Sequence, residues 1–133
     1  MNAVFVTGAT GNVGSAVVRS LLELGTPVVA GVWASSETEP LPDGAEARPF
    51  DFGASPTELR QALKGADRLF LMRPPAIADV RTYLFPLIDA ARANGVRQVA
   101  FLSQDTAPSP YCSISRRWTA RSFSRSSVRA NRR

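Results

Sequence analysis

Near the start of the chain, three glycines stand at three-residue intervals in residues 4–14, VFVTGATGNVG. If the backbone turns there from a strand into a helix, each glycine meets a separate demand. Gly8 permits the tight turn, Gly11 lets the main chain come close to a pyrophosphate, and Gly14 lets the helix pack against the strand. The amides at the start of the following helix would then face phosphate oxygens from the favourable end of the helix dipole. The spacing is G-x-x-G-x-x-G rather than the commoner G-x-G-x-x-G, and by itself it also suits a glycine-rich connector in an unrelated α/β fold. Its position after one apolar run and before another selects the phosphate reading.

Proton-transfer chemistry has few candidates. The chain has no histidine, which removes imidazole-based acid–base catalysis and the commonest metal ligand. No metal motif is present. The one lysine is Lys64, and the tyrosines are Tyr83 and Tyr111.

The elements that would position the glycines can be read along the chain. Residues 3–7 are a short β-branched and aromatic run, as in a strand buried on both faces. Val13, Val17, Leu21 and Leu24 recur at helical spacing before Gly25. Residues 28–33 predict a second strand and residues 47–52 a short third one, with a Glu-, Pro-, Ser- and Gly-rich connection at 34–44 between them. Ser55, Pro56 and Glu58 carry the N-cap, first-turn proline and capping-box positions of a second helix, which ends at Gly65. Residues 68–72 predict a fourth strand closed by Pro74 and Pro75. Val80, Leu84, Leu87, Ile88 and Ala91 mark a third helix stopped at Asn94-Gly95, and residues 96–102 a fifth strand. Strands alternating with helices, joined by right-handed crossovers, predict an α/β, Rossmann-like doubly wound parallel sheet of about five strands.

Composition bounds the rest. A chain of 133 residues with 44% hydrophobic content is one domain's worth of core. One cysteine, Cys112, allows no internal disulfide and fits a reducing compartment. No apolar run approaches the ~18 residues of a membrane span, and no signal-peptide pattern opens the chain, so a cytoplasmic protein is expected. The net charge of +5 is unevenly spread. Residues 1–111 carry nine basic and eleven acidic side chains, whereas residues 112–133 carry seven arginines and no acid. The sequence therefore divides into a domain at 1–106 and a basic segment at 107–133 whose composition is that of a disordered tail.

With these residues in view, TGATGNVG (7–14) resembles the cofactor loop of the extended and atypical short-chain dehydrogenase/reductases. Together with FDF (50–52), LFLMRPP (69–75) and LIDAARANGVRQVAFLS (87–103), it is similar to the NmrA-like NAD(P)-binding proteins over roughly residues 1–106. The resemblance implies that Thr10, Gly11, Asn12 and Val13 sit over the pyrophosphate, between Gly8 and Gly14. It implies that Asp51 and Phe52 lie by the adenine, that Arg73 and Pro74 lie near the nicotinamide ribose, and that Ser103 ends the fifth strand near the nicotinamide. Each has a plainer reading: Asp51 as a turn residue, Arg73 as a solvated loop charge, Ser103 as a turn hydroxyl.

Two positions depart from the family pattern. An arginine at the end of the second strand often pairs with the 2′-phosphate of NADP, and an acid there often holds the 2′-hydroxyl of NAD. Here Trp33 stands at that position and Glu37 comes a few residues late, the indole to stack on adenine or to pack in the sheet, with packing preferred. Ser35 and Ser36 could hydrogen-bond either ribose. The choice between NADP and NAD stays open, leaning to NADP through the resemblance. The wider family also uses a Tyr-x-x-x-Lys pair for proton transfer, but Leu87 and Ser115 stand four residues beyond the tyrosines. The catalytic residues are therefore unassigned.

The resemblance implies an NAD(P)H-dependent oxidoreductase acting on a small quinone or carbonyl-type substrate. The alternatives are a non-catalytic dinucleotide-binding redox sensor, or an inactive truncated product lacking the C-terminal part of the fold. Residues 112–133 are open to three readings: text from a shifted or truncated frame, a solvated terminus, or a basic arm for nucleic acid. No recognition helix supports the last. Substrate and oligomeric state are left open.

Overall fold

The computed structural model describes residues 2–33, 41–74 and 77–102, together with the strand Trp118–Thr119. Four parallel crossovers follow from the order of elements: β1 (Ala3–Val6), α1 (Asn12–Glu23), β2 (Val28–Val32), β3 (Glu46–Pro49), α2 (Pro56–Ala62), β4 (Ala66–Met72), α3 (Val80–Ala93) and β5 (Gln98–Leu102). The sheet order is β3-β2-β1-β4-β5, with β6 (Trp118–Thr119) antiparallel on the outer side of β5. The first five strands are parallel, so the predicted doubly wound Rossmann-like architecture holds.

The continuous apolar character of β1 follows from its having a core on each side. Ala3 and Phe5 point into one cluster, with Leu59, Leu63, Leu84 and Leu87 of the α2 and α3 layer. Val4 and Val6 point into the other, with Val18 of α1 and Val28 and Ala30 of β2. A strand covered on both faces cannot alternate apolar with polar residues.

Three local expectations shift. The core-facing line of α1 is the buried Val18 with the partly buried Val17, Leu21 and Leu22, whereas Val13 is 40% exposed and Leu24, the C-cap residue, 79% exposed. Leu24 falls outside the helix's last turn, and Val13 stands at the glycine-loop end of the sheet. The third strand ends at Pro49 rather than Phe52. Phe50 N–H still donates to Val32 O, but Asp51 Oδ1 then accepts from Gly53 N–H at 2.8 Å and turns the chain away from the ladder. The fourth strand starts two residues early, at Ala66, and the fifth two late, at Gln98.

The helix ends read from sequence are present. Ser55 and Glu58 form the capping box, with Pro56 in the first turn, and Asn94 is the C-cap of α3, followed by Gly95 at φ +77.

Candidate functional site

Strand order reverses at β1, whose neighbours are β2 and β4. In an open α/β sheet the crevice beyond the carboxyl ends at that reversal is where ligands bind. Register puts several strand ends on one edge: Val6 pairs with both Ala30 and Phe70, Val32 with Pro49, and Met72 with Leu102. Hence Gly8, Trp33, Asp51 and Arg73, each just past a strand end, lie along the same edge.

The turn after β1 is built as a cradle for close main-chain approach. Gly8 has φ +64, a left-handed conformation that favours glycine, and a Cβ there would stand 2.7 Å from Met72 Cε. A Cβ on Gly14 would lie 1.8 Å from Gly8 O, inside the loop backbone. Gly14 is thus where α1 is drawn onto the loop. A Cβ on Gly11 would make only a 3.4 Å contact with Gly8 O, so the fold itself tolerates a side chain there and the exposed backbone is what glycine preserves. Gly11, Asn12 and Val13 are exposed and Thr10 half-buried.

The helix starts differ in how they treat their amides. Ser55 accepts from Glu58 N–H at α2, and Asp79 accepts from Arg81 and Thr82 N–H at α3. At α1, the N-cap is Gly11 with no side-chain hydrogen bond and no acidic residue in the first turn. Its first-turn dipole and donors are left for an anion. This donor set fits a pyrophosphate.

Thr7 fixes the loop relative to β4, a role that its place in the motif did not reveal. It is fully buried. Its Oγ1 accepts from Met72 N–H at 2.9 Å and sits 3.3 Å from both Phe70 O and Met72 O, to one of which it donates. The side chain continues the β1–β4 ladder past the point where the main chain departs for the turn. A threonine closing an apolar strand directly before glycine was the available signal.

Toward the outer side of β2 lies a cleft of about 480 Å³ lined by Trp33, Asp51, Glu58 and the Arg48–Phe50 segment, among others. Trp33 is 57% exposed, which overturns the preference for packing in the sheet: β2 ends at Val32, so the indole leaves the layered core. Asp51 lines the same cleft and also holds the Gly53 turn. The side chain of Phe52 instead packs edge-on to Phe50, at 4.9 Å between centroids, within the core, so any ligand contact of Phe52 comes from its main chain. Tyr83, in the first turn of α3, joins this group. A methyl placed on Gly53 would stand 3.7 Å from Tyr83 Cε1.

At the end of β4, Arg73 Nη1 donates to Ile77 O at 3.0 Å, and Ile77 N–H donates to Pro74 O. Arg73 is therefore part of its loop's framework as well as a charge at the crevice. Ser35 and Ser103 lie outside the described residues, as does the basic segment apart from Trp118–Thr119. Among the described residues there is no cluster of three metal-ligating side chains, and no helix is long and apolar enough to cross a membrane.

A doubly wound sheet with an uncapped glycine turn at its reversal point defines a dinucleotide-binding protein of the Rossmann type. The family model for NAD(P)H-binding domains matches residues 8–132, and the chain belongs to that family. It is 31% identical over 109 residues to quinone oxidoreductase 2 of Escherichia coli strain K12, matching 77% of this chain and 38% of that protein. Among solved structures, it is similar to the E. coli NADPH-dependent quinone oxidoreductase complexed with NADPH, at 32% identity and TM-score 0.66, covering 81% of this chain and 39% of that one. It is also similar to the triphenylmethane reductase of Citrobacter sp. complexed with NADP(H), at 28% identity and TM-score 0.64, covering 77% and 38%. The chain thus spans well under half the length of these relatives. The family and the fold agree with the resemblance drawn from TGATGNVG and the downstream strand ends.

Proposed function

We propose that the chain supplies the dinucleotide-binding part of an NAD(P)H-dependent oxidoreductase that reduces a small quinone or carbonyl-type acceptor. The observation that carries this reading is the uncapped, glycine-lined start of α1 at the reversal of the sheet. Similarity to a quinone oxidoreductase and a triphenylmethane reductase supports it. Bound nicotinamide would supply the hydride. The chain's own work is to seat the pyrophosphate on the amides of residues 10–13, to hold the adenosine end by Trp33 and the Asp51–Phe52 main chain, and to set the floor of the nicotinamide end with Arg73, Pro74 and Ser103. Thr7 keeps the two halves of that seat in register. The chemistry is hydride transfer between positioned partners, so orientation is the main contribution of these residues.

A second reading, a dinucleotide sensor without turnover, is favoured by one observation. Among the described residues Tyr83 is the tyrosine at the site edge, and Leu87, fully buried, stands four residues beyond it, where the lysine partner would be. Lys64 follows α2 at the opposite end of β4. Loss of nicotinamide absorbance with a panel of quinones tests the two: turnover excludes the sensor, and saturable binding without turnover favours it. If neither NADH nor NADPH gives a saturable response, dinucleotide binding is rejected for this chain. Cytoplasmic residence belongs to the same proposal and is tested by fractionation.

A further inference from the structure

We propose that the cleft beyond β2 and β3 accepts an adenosine ribose with a free 2′-hydroxyl, so that the chain takes NAD(H) in preference to NADP(H). The inference rests on the dinucleotide reading above and names the dinucleotide that site prefers. In this fold the residue at the end of the second strand commonly decides the matter: an acid takes the 2′-hydroxyl, while an arginine takes the 2′-phosphate. Here the position is Trp33, exposed and lining the cleft. An indole has one N–H donor and no charge, so it cannot replace the bidentate, charged pairing that arginine offers a phosphate.

Neighbouring charges reinforce this. Among the described residues, the ionisable ones lining the cleft are Arg48, Asp51 and Glu58. Arg48 is committed elsewhere: Nη1 donates to Ala62 O and Lys64 O, both at 2.8 Å, and Nη2 to Glu46 Oε1 at 2.6 Å. It neutralises the carboxyl end of α2 and a carboxylate of its own strand. A phosphate monoester in the cleft would share it with the carboxylates of Asp51 and Glu58 and, among the described residues, with one engaged guanidinium, and like charges repel. A ribose hydroxyl can instead donate to Asp51.

The stretch of sequence around Trp33 adds no further cation. No Lys or Arg occurs between Arg19 and Arg48, whereas Glu23, Glu37, Glu39, Asp43 and Glu46 do. Arg73 lies at the end of β4, two strands from β2 in the sheet order, which is roughly 10 Å at the usual interstrand spacing, and its Nη1 is held on Ile77 O.

Calorimetric titration of the chain with NADH and NADPH at matched ionic strength tests the proposal. NADH is expected to bind at least tenfold tighter, and 5′-AMP to displace it at lower concentration than 2′,5′-ADP. In Trp33→Arg the ratio of the two affinities should move at least tenfold toward NADPH. The inference is overturned if NADPH binds as well as or better than NADH, if 2′,5′-ADP is the better competitor, or if a folded Trp33→Arg chain keeps the parent ratio. A cooperative thermal melt with no binding of either dinucleotide overturns the dinucleotide reading itself and this inference with it. The nucleotide competition needs no variant, so it decides the question even if Trp33→Arg does not fold.

Discussion

Gly14 and Gly11 occupy equivalent places in the motif spacing yet serve different ends, and single methyl groups separate them. Gly14→Ala forces a Cβ to within 1.8 Å of a backbone oxygen. That clash cannot be relieved by a rotamer, so a loss of about 3 kcal/mol or outright failure to fold is expected in chemical denaturation. Gly11→Ala should keep the parent melt to within about 1 kcal/mol, since its φ is ordinary and alanine is only a poorer N-cap. Its dinucleotide affinity should fall at least tenfold, because the methyl would occupy the approach to the pyrophosphate in the proposed seat. Equal loss of stability in the two variants would contradict this division. Thr7→Val supplies a third residue-level test. Valine preserves the shape but strands the part-buried Met72 N–H, a penalty of about 1–3 kcal/mol, while Thr7→Ser should recover most of it.

At the scale of elements, how a helix begins determines both its acid sensitivity and its use. Glu58 is held below its ordinary pKa by the Ser55 backbone N–H and then the Ser55 hydroxyl. Asp79 is held below its ordinary value chiefly by the Thr82 hydroxyl and the Thr82 amide. A carboxylate depressed in the folded state contributes stability that is fully present above its unfolded pKa and is lost as pH falls through the folded one. Thermal stability should therefore hold from neutrality down to the ordinary carboxylate range, near the reference values of 4.5 and 3.8, and decline below it. Ser55→Ala should flatten that decline and lower stability by about 1 kcal/mol, the usual worth of a cap. Melts across the acid range read both effects, and an unchanged acid slope in the variant would sink the assignment. The caps of α2 and the stop of α3 were legible because they depend on residue types at fixed local offsets. The end of β3 was not, because Phe50 and Phe52 look like strand residues and the Asp51–Gly53 hydrogen bond that ends the ladder is a matter of conformation. The exposure of Trp33 was hidden for a similar reason: an aromatic at a strand end reads as core until the layers that cover the strand are placed.

For the molecule as a whole, the order of elements made the sheet legible, since strand–helix alternation with right-handed crossovers leaves few arrangements. The glycine loop gained meaning only once β1 and β4 were seen to flank the reversal, with Thr7 closing the seam between them. Pairwise contacts of that kind, 65 residues apart in the chain, leave little trace in local patterning. The same global arrangement predicts how ligand and fold are linked. In the proposed binding mode the pyrophosphate seat joins α1 and β1 while the adenosine cleft involves β2, β3 and α2, so a bound dinucleotide would brace elements on both faces of the sheet. It can bind the folded chain but not the unfolded one, so at a hundredfold excess over Kd it should add about 2.7 kcal/mol to stability, seen as a rise of roughly 10 °C in Tm for a domain of this size. The rise should be larger with NADH than with NADPH at equal concentration, and it should shrink in Gly11→Ala without a matching loss in the unliganded melt. A rise of the same size in Gly11→Ala would place the bound nucleotide somewhere other than the start of α1.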